Sequence, residues 1–157
     1  MQSSIFRFTF TLYPPRVYVS DGTSRVTQSA QYTQGYESVR KACADVLSRM
    51  PKDEAQKLID TCLVSWVSSP GQSCTKVLER PAAPSWAIWL DPRLPCYPEE
   101  MRVGIVAHEF AHVVCNHRMD DGSCEKEADR LAAEWGFSAE IEAMRDYIHT
   151  GGGELAP

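Results

Sequence analysis

The chain has 157 residues, which points to a single domain over 1–157. Hydrophobic residues make up 43% and charged residues 24%, a balance that disfavours wholesale disorder, collagen and coiled coil and leaves a folded soluble protein. A formal net charge of −5 with no run of like charges argues against nucleic acid as a partner, and no stretch approaches the 18 or so apolar residues of a membrane span.

In chain order, Phe6, Phe8, Phe10 and Leu12 alternate with Arg7, Thr9 and Thr11, the period of a half-buried strand and not of a signal-peptide core. The chain is therefore expected to be cytoplasmic. Its six cysteines (Cys43, Cys62, Cys74, Cys96, Cys115, Cys124) include no CxxC pair and are expected as reduced thiols. Pro14 and Pro15 break the strand, a short second strand is expected over 16–20, and the Ser, Thr, Gln and Gly of 20–34 read as a loop.

Val39, Ala42, Cys43, Val46 and Leu47 recur at helical spacing and predict a helix over about 36–50, stopped by Pro51 and followed by a second over 52–59. The aromatic and β-branched runs at 62–67 and 86–90 read as partner strands, joined by a loop holding Pro70, Gly71, Pro81 and Pro84. From Pro98, with Glu99 and Glu100 at the positive end of its dipole, a helix is expected to about His117. After a turn at 120–123 a further helix, capped by Ser123, is expected to end at Gly136 in a left-handed conformation. A last helix, capped by Ser138, runs from about Ala139 to His149, and a glycine tail over about 150–157 is expected to be mobile.

The helix over 98–117 contains His108-Glu109-Phe110-Ala111-His112, an HExxH pattern. Residues four apart differ by about 40° in azimuth, so both imidazoles leave one face and can occupy adjacent corners of a zinc tetrahedron. Glu109 is turned about 100° from His108, beside the metal and placed as a general base. Chance alone produces such a pattern in roughly one chain in a hundred of this composition. Three of only four histidines fall within ten residues, and Glu109 between Ala107 and Phe110 is an ill-placed charge for a purely structural helix.

Two histidines do not complete a catalytic zinc site. In an unbroken helix His117 lies about 180° from His108, on the far side, and Cys115 is too near along the same helix to reach round the metal. Cys115 reads as a packed thiol. The better third ligand is in the next helix, where Glu125 and Asp129 stand one turn apart beside the small Ala128, Ala132 and Ala133. One carboxylate can complete the tetrahedron while the other holds a ligand histidine by its second ring nitrogen.

The stretches IVAHEFAHVV and EKEADRLAAEWGF together resemble the small gluzincin metallopeptidases, the minigluzincins and ImmA/IrrE-type peptidases, whose second motif reads ExxAD or ExxAN. The resemblance covers about Trp86 to Phe137. It implies one Zn2+ per chain held by His108, His112 and Glu125, Glu109 as base, and Asp129 supporting a ligand histidine. It further implies an α+β, zincin-like fold, with a small twisted sheet packed on the active-site helix, a helical C-terminal half, and an extended substrate paired along 86–90.

The expected activity is that of a zinc-dependent endopeptidase. A peptide or protein is its substrate, and an activating or inhibitory protein partner is possible. Tyr147 or His149 on the last helix are the candidate oxyanion donors, although residues so placed are more often on the surface. The alternative is a non-catalytic module that keeps the scaffold to dock a partner segment. An intact Glu109 favours the enzyme, and the negative charge disfavours a DNA-associated protease.

Overall fold

The computed structural model describes residues 25–66, 74–77, 86–91, 93–117 and 122–150. The strands expected over 6–12 and 16–20 and the tail beyond Thr150 lie outside them. Five helices dominate: α1 (Arg25–Arg49), α2 (Lys52–Thr61), α3 (Glu99–Cys115), α4 (Gly122–Ala132) and α5 (Ser138–His149). Between α2 and α3 come three strands, β1 (Cys62–Trp66), β2 (Cys74–Val77) and β3 (Trp86–Leu90), then a 3-10 turn at Leu94–Cys96. Among the described residues no helix is long and apolar enough to cross a membrane. Cys43, Cys62, Cys96, Cys115 and Cys124 are in no disulfide.

Helix α1 buries Val39, Ala42, Cys43 and Val46 of the stripe its spacing predicts, leaves the fifth member, Leu47, half-buried, and lies against α3. It starts at Arg25, not near Tyr36. Residues 25–34 include no Gly or Pro, and the one glycine on the way, Gly35, costs a helix only about 1 kcal/mol, so a helix nucleated further along can extend back through them.

The sheet order is β1-β3-β2. Strand β1 runs parallel to β3 with Cys62 opposite Trp86 and Trp66 opposite Leu90, while β2 runs antiparallel with Cys74 opposite Trp89 and Val77 opposite Trp86. Trp86, Ala87, Ile88 and Leu90 are buried, as a central strand covered on both faces requires. Strand β2 occupies what reads as a proline- and glycine-flanked loop, because four residues are too few for alternation to register. Its presence overturns one expectation. Residues 86–90 are hydrogen-bonded on both sides, so an extended substrate cannot pair along them.

Helix α3 runs through the core with Val106, Ala107, Ala111 and Val113 fully buried. At Gly104 a β-carbon would overlap the Glu140 carbonyl, so only glycine lets α5 approach this closely. Pro98 caps α3 and does not open it as its first helical residue.

The helix stops at Cys115, two residues short of the expected end. Asn116 is left-handed (φ 60°), its N–H donates to Val113 O at 3.1 Å, and the His117 N–H donates to His112 O at 3.0 Å. This paired closure is a Schellman motif, built on asparagine where glycine is commoner.

Helix α4 ends in a π-helical turn (Ala133–Phe137) in which Gly136 takes the expected positive φ of 93°. Arg49 holds that corner. Its guanidinium lies 3.7 Å from the centre of the Phe137 ring, donates to Gly136 O, and bonds Glu140 Oε1 at 3.0 Å. Ser123 and Ser138 lie within the first turns of α4 and α5 and not at the capping positions expected of them.

Candidate metal centre

Helix α3 sends His108 and His112 from one face toward α4, where buried Ala128 and Ala132 leave room for the two helices to close. The two Nε2 atoms lie 3.0 Å apart. Glu125, in the first turn of α4, completes the group, with Oε2 3.2 Å from His108 Nε2 and Oε1 3.2 Å from His112 Nε2. His108 and His112 are 6% and 9% exposed, whereas the Glu125 side chain is 34% exposed, so the cluster is buried on the α3 side and open beside α4.

The three donors fit a metal ion in number, type and spacing. Zinc ligands about 2.0–2.2 Å from a tetrahedral ion stand roughly 3.3 Å apart, close to the separations found here. Two imidazoles with one carboxylate suit zinc and its transition-metal neighbours better than calcium or magnesium, which take oxygen donors.

Both imidazoles are held from behind. His108 Nδ1 donates to Asp129 Oδ1 at 2.8 Å, one turn along α4 from Glu125, the supporting position expected for Asp129. Asp129 is steadied in turn by Arg145 of α5, whose Nε donates to Oδ2 at 2.7 Å. The same guanidinium lies 3.5 Å from Glu125 Oε2. The sequence reading missed Arg145, because a lone arginine in an amphipathic helix carries no motif.

His112 is held by His117. Their Nδ1 atoms are 2.9 Å apart, and His117 Nε2 lies 3.1 Å from Glu127 Oε2. A histidine that offers Nε2 to an ion keeps its proton on Nδ1. His112 then donates to His117 Nδ1, and His117 donates from Nε2 to Glu127. His117 is therefore not on the far face of α3, as a continuous helix requires. The left-handed Asn116 turns it back. An asparagine following the helix was the available signal.

Charge balances around His108. Burial draws its imidazole down, but hydrogen bonds to Asp129 and Glu125 and the charges of Glu109 and Glu125 outweigh this and lift it to about 9. The His108 hydrogen bond, outweighing burial, brings Glu125 to about 2. Burial raises Asp129, and its bonds to His108 and Arg145 overcome that and leave it below the ordinary carboxylate range.

Glu109 is 5% exposed, and its charge reaches both His108 and Cys62, the first residue of β1. Burial pushes the Cys62 thiol there up to about 12, with Glu109 adding to the effect. Neither candidate oxyanion donor, Tyr147 or His149, is among the three converging donors. The Tyr147 ring packs 5.4 Å from that of Tyr97, and His149 is exposed in the last turn of α5. Comparison of the chain with known protein families, with curated proteins and with solved structures finds no match.

Proposed function

We propose that this chain is a zinc-dependent endopeptidase of the small gluzincin type, built on a zincin-like arrangement of helices and sheet. The reading is carried by the convergence of His108 Nε2, His112 Nε2 and the Glu125 carboxylate at 3.0 to 3.2 Å. Beside it, Glu109 is fixed one residue from a donor yet turned about 100° away. A zinc ion held by the three donors supplies Lewis acidity, polarising a peptide carbonyl and lowering the pKa of a water molecule.

The remaining work falls to the chain. Glu109 takes a proton from the attacking water at its carboxylate and returns it to the leaving amine. Asp129 and His117 fix the two imidazoles so that each presents Nε2 and neither can rotate away. Arg145 neutralises part of the charge that Glu125 and Asp129 bring together. With β3 paired on both sides, the outer edge of β2, which runs against α3, is, among the described residues, the strand edge proposed to take an extended peptide.

The test compares wild type with Glu109→Gln. Both should hold zinc at this cluster, and cleavage of an unstructured protein should fall at least about 10²-fold in the variant. Equal cleavage by the two proteins overturns the base. Absence of cleavage by zinc-loaded wild type across a broad peptide library overturns the enzyme and leaves a docking module.

A further inference from the structure

A second group of donors lies on the other side of His112. Cys115 closes α3, His117 follows the left-handed Asn116, and Glu127 comes from α4; one donor atom of each lies within 4.8 Å of the others. This set shares no residue with His108, His112 and Glu125. We propose that Cys115, His117 and Glu127 form a second metal site, one that takes a divalent ion accepting sulfur and nitrogen, such as zinc, cadmium or cobalt.

The geometry carries this in three ways. The Schellman closure reverses the chain between Cys115 and His117, so that two residues only two apart present their side chains to one point. The His117 side chain is 8% exposed whereas that of Glu127 is 52% exposed, which gives a fixed imidazole behind and a carboxylate in front, where an ion can enter and keep a water as fourth ligand. Thiolate, imidazole and carboxylate in one group is also a donor set that zinc and cadmium prefer over calcium or magnesium.

An ion here replaces the hydrogen bond between His117 Nε2 and Glu127. It takes the Nε2 lone pair, so the imidazole proton moves to Nδ1; when the first cluster is filled as well, His112 and His117 both carry a proton on Nδ1, and their 2.9 Å contact must open, so that filling this site removes the hold of His117 on His112. The thiol of Cys115 gives up its proton to become the sulfur ligand.

Cobalt(II) distinguishes the two sites, because only this one contains sulfur. Cobalt added to the full-length, metal-free protein should produce near-ultraviolet sulfur-to-cobalt charge-transfer absorption. That absorption should vanish in Cys115→Ser and in Cys115→Ala, weaken in Glu127→Gln, and persist in Glu125→Gln, which damages only the first site. Cadmium should likewise bind at about two equivalents in wild type and about one in Cys115→Ser. No sulfur absorption at any cobalt level, or absorption that survives both Cys115 substitutions, overturns the second site. Neither result bears on the peptidase reading, which rests on other residues and is read by cleavage.

Discussion

His117 Nδ1 lies 2.9 Å from His112 Nδ1, although the two residues would stand on different faces of a continuous helix. The contact fixes which nitrogen of His112 remains for an ion, just as Asp129 does for His108.

Removing that support is expected to loosen the metal. Partners that hold a ligand imidazole typically contribute about 10- to 100-fold in affinity, so His117→Ala should weaken zinc binding at the first cluster by about that factor. Competition against a chromophoric chelator measures it. Unchanged affinity would show that His112 is oriented without His117.

The same measurement tests Arg145. Its guanidinium bonds Asp129 at 2.7 Å and neighbours Glu125 at 3.5 Å, so Arg145→Met removes the counter-charge from two carboxylates at once. Zinc affinity should fall, by less than in Asp129→Ala, because Asp129 touches the imidazole directly and Arg145 acts only through it. A larger loss in Arg145→Met than in Asp129→Ala would contradict that order.

These two supports also mark where the sequence stops being readable. His108, His112, Glu125 and Asp129 were legible because each pair repeats a fixed helical interval, and the interval alone sets the face. The stripe of α1 was legible for the same reason. Arg145 and His117 depend on how helices meet and where one ends, and neither has an interval to count. Asn116 decided the second case, since the alternative to glycine at a helix end was the signal that went unread. Strand β2 was too short for a period, and with it went the strand order among the described residues. The start of α1 was obscured because polar residues without a breaker fit a loop and a helix equally well.

A pH dependence follows for the metal-free protein. His108 is raised from 6.5 to about 9, so its contribution to stability is fully present below about 6.5 and is lost as pH rises through about 9. Glu125 is lowered from 4.5 to about 2, so its contribution is present above about 4.5 and is lost as pH falls through about 2. The cluster therefore stabilises the metal-free fold most between about pH 4.5 and 6.5. Thermal melts of metal-free protein should show Tm declining from pH 6.5 toward 9, and His108→Gln should flatten that decline. An equal decline in the variant would assign it to other groups.

Gly104 sets how closely α5 approaches the helix that carries the histidines. A β-carbon there would overlap the Glu140 carbonyl, and its next neighbour, the Glu140 carbonyl carbon, would be 2.7 Å away. Both are backbone atoms and cannot swing aside. Gly104→Ala should therefore destabilise the fold by at least about 1–3 kcal/mol, despite the higher helix propensity of alanine. Urea unfolding of the two proteins gives the difference, and a stabilised variant would mean that the helices are further apart.

Asn116 links the fold to the candidate metal centre. Its left-handed backbone costs asparagine little, because the short polar side chain tolerates φ near 60°, and costs glycine nothing. A β-branched residue tolerates it poorly, so Asn116→Val should destabilise the native turn by roughly 1–2 kcal/mol and favour continuation of α3 past Cys115. That continuation would carry His117 away from His112 Nδ1 and from Glu127 together. Asn116→Val is thus expected to reproduce the weakened zinc affinity of His117→Ala without touching a donor or its hydrogen-bond partner. Asn116→Gly should bind zinc as wild type does. Should Asn116→Val lose stability but keep full zinc affinity, the turn would be a structural device only, and His117 would reach His112 by some other route.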